Sequence, residues 1–465
     1  MFQKTITLLF LTSLILTFSA SAQSGHRADI HPDSLSDKLW ADLDKGLFEF
    51  HMRTFAMSTV NEAHLNDYFT LASGAGIGYY SPSFHNFHVG FSGFFVFQLH
   101  EHNLHIEDNA SSQISRYERQ LYDLNDPENS TDLDRLEELY LTYELDHIKF
   151  NLGRQKVESP LMNENDNRMR PHIFSGLSST YEKNHLKLHG GWYTSETVRG
   201  TLHWYKIDHT FGIYGVGRNP LGDTVSYRNN ISTRGIGLLG GEYKKKHLEV
   251  KAWNYLSDNV FNLSFGQVDY EIKRKKLKIE LGVQGLYQTA VNNGGNSNPS
   301  MAYILPDEQT YAIGGKIGLH RKSHNISLNY FGISEQGRYL FPREWGREVF
   351  YASLPRERFE GYGDLNAYVI KYKFDPEEKP YWFSLNGGFI DQPDINNLLL
   401  NKYEIDDYFH LTGEFDYKFD GYFEGLDLKF VAAAKIEEEH SSMDASQRHN
   451  VVDMVNLSFI IDYRF

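Results

Sequence analysis

The chain has no cysteine among its 465 residues. That excludes a disulfide framework, a thiol nucleophile and a thiolate metal site. It also lacks a surplus of positive charge: 46 Lys and Arg stand against 61 Asp and Glu, a formal charge of −15. A general nucleic-acid binder, which needs a basic footprint, is thereby excluded. Beyond residue 22 no run reaches the ~18 consecutive apolar residues of a spanning helix, so any insertion into a membrane must be by strands. No Gly-x-Ser-x-Gly elbow, phosphate-binding loop or His-Glu-x-x-His motif occurs, so the commoner hydrolytic chemistries have no foothold.

What the chain does have is aromatic side chains. Phe, Tyr and Trp make up 15 % of residues, yet only 40 % of residues are hydrophobic and the mean hydropathy is −0.50. That mixture suits strands with one apolar and one polar face. Lys4, the apolar stretch from Ile6 to Phe18 and Ala20-Ser21-Ala22 read as a signal peptide over residues 1–22, so the mature chain is exported. Residues 23–45 are polar and aperiodic and are expected to form a periplasmic N-terminal lead.

From Gly46 the side chains alternate. Phe48, Phe50 and Met52 fall on one face, and Glu49, His51 and Arg53 on the other. The stretch Met454 to Phe465 does the same, with Val455, Leu457, Phe459, Ile461, Tyr463 and Phe465 on the apolar side. Between them lie alternating segments of roughly 10 residues, the length a tilted strand needs to cross a bilayer. Short connections fall near Ser81 to Asn86, Asp146-His147, Glu182 to Asn184, Lys244 to His247, Lys273 to Lys276, His320 to His324, Asp375 to Pro380 and Asp420 to Gly425. Longer ones lie between them. Short turns on one side and long loops on the other predict an all-β, transmembrane antiparallel barrel over residues 46–465, with 18 strands. Residues 200–217 could add two strands, but without a good turn between them they read as part of a long folded loop. The last strand should pair with the first, and its terminal Phe465 is expected to lie at the periplasmic interface and serve the barrel-assembly machinery.

One stretch carries a resemblance. Glu158-Ser159-Pro160-Leu161-Met162-Asn163-Glu164-Asn165-Asp166-Asn167-Arg168-Met169-Arg170-Pro171-His172-Ile173-Phe174-Ser175-Gly176 resembles the third-loop signature of the OprD family of outer-membrane porins. Pro160, Asp166, Arg168, Pro171, Phe174 and Gly176 hold the matching positions. Glu49 to Met57 looks like the family's first strand with a lumen-facing Arg53, and Gly78-Tyr79-Tyr80-Ser81 like the end of its second. Two departures stand out: Pro82 replaces the usual glycine after that serine, and residues 334–362 align with no motif. The resemblance implies a monomer-type pore in the outer membrane of a Gram-negative bacterium, with residues 158–172 folded inward as a constriction loop. It further implies passage of small hydrophilic solutes, among them carboxylate-bearing nutrients such as amino acids, peptides or organic acids. Outer-membrane lipid and lipopolysaccharide would surround such a barrel, with no nucleic acid as partner.

Candidate channel residues are Arg53, Asp166, Arg168 and Arg170. A guanidinium grips a carboxylate through paired N–H donors, although Asp166 and Arg168 could instead pair with each other and hold the loop. Lys149, Lys187, Lys251 and Lys278 sit on polar strand faces as a lumen-facing basic wall, or as ordinary solvated charges. Pro160, Pro171 and Gly176 shape the loop. Arg154 and Lys156 fall on the apolar parity, which requires a bulge or a rim position. His85, His88, His100, His102 and His105 have spacings a metal could use, but strand geometry splits their faces, so neither metal nor cofactor is expected. The reading is of a channel and not an enzyme; a barrel-embedded phospholipase-like enzyme and a surface-binding adhesin barrel are the alternatives.

Overall fold

The computed structural model describes residues 45–465 except 216, 220 and 439–442. The expected signal peptide and all but the last residue of the expected lead lie outside those residues. The strands are β1 (Leu47–Val60), β2 (Tyr68–Tyr80), β3 (Phe87–His102), β4 (Leu133–Leu145), β5 (Ile148–Gln155), β6 (Ile173–Lys183), β7 (Leu186–Thr197), β8 (Tyr205–Lys206), β9 (Ile236–Lys245) and β10 (Leu248–Ser257). They continue with β11 (Phe261–Arg274), β12 (Leu277–Ala290), β13 (Gln309–Arg321), β14 (His324–Ile333), β15 (Leu365–Phe374), β16 (Tyr381–Asp391), β17 (Tyr408–Lys418), β18 (Leu426–Glu437) and β19 (Met454–Arg464).

All but β8 pair antiparallel with their chain neighbours, and β19 pairs back onto β1, closing an 18-strand barrel. The two-residue β8 merely extends the edge of β7 at Ser195 and Glu196. Residues 200–217 are thus part of the fourth loop, and the twenty-strand option is not realised. Closure removes the exposed edges that an open sheet would present to lipid. Among the described residues no helix is long and apolar enough to cross a membrane; strands do the crossing.

Period-two alternation decides the faces. On β12, Leu281, Val283 and Tyr287 point outward and are exposed, while Gln284, Leu286 and Gln288 point inward and are buried. The short turns open with Asp146, Asn184, Lys246, Lys275 and Lys322, each with φ between 40° and 56°. That left-handed backbone matches the twist of tight hairpins, and Asn and Asp tolerate it best. Aromatics ring this end: Phe50 stacks on Phe465 at 5.1 Å and Phe87 lies 4.7 Å from Tyr143. The opposite end carries the long loops, although one connection there, residues 258–260 between β10 and β11, is only three residues long.

Those loops fill the barrel at their own end. Inward side chains Tyr255, Phe261, Leu286 and Phe331 meet Phe211, Tyr303, Phe341, Trp345 and Phe350 from the fourth, sixth and seventh loops in one buried apolar cluster. Trp345 is its centre, 5.1 Å from Phe211 and 5.6 Å from Phe341, with its indole N–H donating to Thr210 at 2.9 Å. A smaller cluster joins Phe55, Met57, Phe94 and Val96 of the wall to Leu104, Leu121 and Met169.

Candidate functional site

The third loop, residues 156–172, leaves β5 and meets three separate parts of the interior. The backbone N–H of Leu161 donates to Tyr255 Oη of β10 at 3.2 Å. Asn163 is bonded on both sides to the seventh loop: its N–H to the Trp345 carbonyl at 3.1 Å, its Nδ2 to the Arg347 carbonyl at 2.8 Å. Farther along, Asp166 reaches Arg53 on the inner face of β1.

Arg53 is fully engaged. It donates to both oxygens of Asp166 at 2.5 and 3.0 Å, to Asp462 Oδ2 of β19 at 2.5 and 3.0 Å, and to the Arg168 carbonyl at 2.7 Å. Burial pushes the Asp166 carboxyl up, but the Arg53 and Arg464 guanidiniums more than offset it and hold it below its ordinary value. Asp166 therefore pairs with the wall and not with Arg168. Arg170 turns both terminal nitrogens to distant carbonyls, Leu133 at 2.9 Å and Tyr122 at 2.8 Å. Arg168 is placed differently. It is 3 % exposed, its guanidinium donates only to its chain neighbour Asn167 among the described residues, to O at 2.8 Å and Oδ1 at 3.4 Å, and its buried Nε has no partner.

Arg168 lines a cavity of about 670 Å3 between the second, third, fourth, seventh, eighth and ninth loops. Among the described residues nine arginines line it, Arg116, Arg119, Arg168, Arg199, Arg218, Arg343, Arg347, Arg356 and Arg358, together with Lys435 and only three carboxylates, Glu107, Glu357 and Glu404. Three of the arginines are answered by carboxylates: Arg218 by Glu404 at 2.7 Å, Arg343 by Glu360 at 2.8 Å and Arg358 by Glu348 at 2.9 Å. Four others are held by neutral acceptors. Besides Arg168, Arg199 donates to Asn167 Oδ1 and to Gln120 Oε1, and Arg347 to the Leu354 carbonyl. Arg356 donates to Asn456 Oδ1 at 2.7 Å and Ser458 Oγ at 2.8 Å, both on β19. All four have lowered pKa values. Burial is the largest cause in each, and like charge adds to it: Arg168 feels Arg356 and Arg199, Arg356 feels Arg199 and Arg347, and Arg347 feels Arg199. Neutral dipoles fix these guanidiniums without cancelling their charge, which leaves an electropositive chamber inside an acidic protein.

Two glutamates of the seventh loop anchor it. Glu357 accepts from Tyr408 Oη at 2.8 Å, lies 2.8 Å from His410 Nδ1 and 3.2 Å from Lys435 Nζ, all on the wall. Burial pushes its carboxyl up, and Lys435 and His410 outweigh that and hold it well below the ordinary range. Glu360 accepts from Lys402 Nζ at 2.6 Å, Arg343 Nε at 2.8 Å and Tyr403 Oη at 2.5 Å.

The four wall lysines lie away from the chamber. Lys149 pairs with Glu144 at 3.2 Å, Lys251 with Glu249 at 3.1 Å, and Lys278 bridges Glu271 at 3.0 Å and Glu280 at 2.9 Å. Lys187 sits opposite Glu182 in the β6–β7 register. Pro160 and Pro171 are buried in the loop, and the Pro171 carbonyl accepts from Arg135 at 2.7 Å. At Gly176, where the β6–β7 register shifts, a side chain would run into the Trp192 carbonyl. Arg154 lies at the rim, 4.3 Å above the Trp204 ring, and Lys156 is 3.5 Å from Glu164. Among the described residues no group of three or more His, Cys, Asp or Glu could hold a metal ion.

Sequence reasoning singled out only Arg168 of the chamber. Arg338, Arg343, Arg347, Arg356 and Arg358 form a dense arginine run within residues 334–362, and that density was the available signal.

A family model for an outer membrane porin, OprD family, matches residues 138–378. Comparison with curated proteins finds no match. Among solved structures the chain is similar to Acinetobacter baumannii OccAB3 (16 % identity, TM-score 0.70), Pseudomonas aeruginosa OccK8, also called OprE (14 %, 0.69), and P. aeruginosa OpdK, solved with vanillate (12 %, 0.68). Each alignment covers 91 % of this chain and 99 % of the other.

Proposed function

The chain belongs to the OprD family of outer-membrane porins, and from that premise we propose that it admits small hydrophilic anions, carboxylate-bearing nutrients foremost, through the arginine chamber. It is a channel of the Gram-negative outer membrane. The observation that carries the anion reading is the surplus of guanidinium over carboxylate around about 670 Å3 of space. A ring of like charge at a narrow passage selects by sign, because permeant ions of the opposite sign are concentrated there and others excluded. Arg168 contacts the solute in this reading. Arg53, Asp166 and Arg170 fix the third loop as the constriction around it, and the lysines of the lower wall tune the approach.

Outer-membrane lipid and lipopolysaccharide meet the outward apolar rows, and the aromatic strand β19 is what the assembly machinery handles. The carboxylate seen with OpdK belongs to that protein; here the class rests on the arginines. The full chain, reconstituted in a planar bilayer under a KCl gradient, is expected to give discrete steps with an anion-selective reversal potential. Cation preference, or a folded protein without conductance, overturns the proposal.

A further inference from the structure

We propose that the chamber selects solutes carrying at least two ionised acidic groups over those carrying one. The inference rests on the anion-channel reading and deepens it. Arg168 comes from the third loop, Arg199 from the fourth, and Arg347 and Arg356 from the seventh. They are close enough to depress one another, and among the described residues none forms an ion pair with a carboxylate, although Glu118, Asp166, Glu348 and Glu414 act on them without bonding to them. The carboxylates of the chamber are not available to compensate them: Glu357 is spent on Lys435, His410 and Tyr408, Glu404 on Arg218, and Glu107 is exposed. Each is held in place by neutral oxygens, so the bonds that fix it do not cancel its charge.

A monoanion entering this space cancels one positive charge and leaves the others repelling. Each further acidic group cancels another, so the attraction rises with ligand charge in a site where the medium screens little. The opposing cost is dehydration, which is steeper for multiply charged ions. It is offset only if each acidic group finds its own donors. Guanidiniums arriving from three loops around about 670 Å3 supply donors to separated groups, which a single fork would not.

The test uses the full chain in a planar bilayer with chloride as carrier, and measures the concentration of propionate, succinate, tricarballylate or glycerol 3-phosphate that halves the current. Succinate is expected to act at about one tenth the concentration of propionate, and tricarballylate lower still, each tenfold being one decade in affinity. Arg168→Gln with Arg356→Gln should raise the succinate value severalfold and the propionate value little. Arg234→Gln, at an exposed residue that among the described residues pairs only with Asp258, should change neither. Stronger action by glycerol 3-phosphate than by succinate places both charges on one phosphate; weaker action places them on two carboxylates; both support the proposal. Equal values for propionate and succinate in an anion-selective channel overturn it and leave the anion-channel reading standing. Loss of anion selectivity or of conductance overturns that reading itself.

Discussion

The two ends of the barrel interior handle charge in opposite ways. Toward the short turns, most cations on the inner wall have an acid beside them: Glu280 alone receives Lys278, Lys316 and His320 within 3.0 Å, and the exception, Lys371, donates to the Ser353 carbonyl of the seventh loop. These groups are partly exposed, and their alternation along and across strands neutralises the wall where it is made. Toward the long loops the wall turns apolar, packs against loop aromatics, and leaves a pocket in which arginines are fixed by Asn, Ser, Gln and backbone oxygen. Local compensation gives a solvated, nearly neutral vestibule. Imported side chains from distant loops give an uncompensated field. The difference is one of who pairs with whom, since both ends are rich in basic residues.

That contrast can be broken or sharpened by measurement, beginning at the loop end. Trp345→Ala removes the centre of the aromatic cluster and is expected to destabilise the protein by ~3–5 kcal/mol in denaturant unfolding from detergent, with a larger unitary conductance. An unchanged midpoint would show that the loops sit on the wall without supporting it. Arg53→Ala takes the main partner from buried Asp462 and half-buried Asp166, leaving them only His51 and Arg464, a cost of up to ~3–5 kcal/mol, and should make the open-channel current noisy; a quiet, stable variant would deny that this arginine holds the third loop.

Acid separates the two ends next. Burial raises the Glu360 carboxyl, but Lys402 and Arg343 more than offset it and hold it at about 2, below an ordinary value of 4.5. A depressed carboxylate contributes stability that is complete above its unfolded pKa and lost as pH falls through its folded one. The seventh loop should thus stay protected from amide exchange down to about pH 3 and lose protection toward pH 2; loss near pH 4 to 5 would deny the clamp. Arg356→Gln should lower the anion-to-cation permeability ratio severalfold while leaving stability within about 1 kcal/mol. The smallest effect belongs to the vestibule, where Lys278→Gln is expected to shift stability by less than ~1 kcal/mol and the reversal potential hardly at all. A large shift there would erase the distinction between the ends.

Legibility followed the same division. The wall was readable because alternation such as Leu281, Val283 against Gln284 repeats in every strand and because two-residue connections like Asp146-His147 mark the turns. The exception, the three-residue connection at 258–260, has neighbours whose alternation continues almost unbroken across it, so its length had no signature. The chamber was mostly unreadable because its contacts are not local. Arg356 is separated from Asn456 and Ser458 by 100 and 102 residues, and no periodicity links them. The third loop was picked out by resemblance, yet the partner of Asp166 was open between Arg168 two residues away and something distant; the structure places Arg53, 113 residues away, there.

The Arg53 bond set has a consequence for assembly. Arg53 and Asp462 are register partners across the β1–β19 pairing, whose strands are the most widely separated in sequence of any that pair. Contacts of such separation carry the largest loop-closure entropy and form late. Because the same guanidinium also takes Asp166, the third loop gains its anchor in the step that zips the seam. An unclosed barrel has no complete receptor for that loop, so sealing the cylinder and seating the third loop belong to one cooperative step.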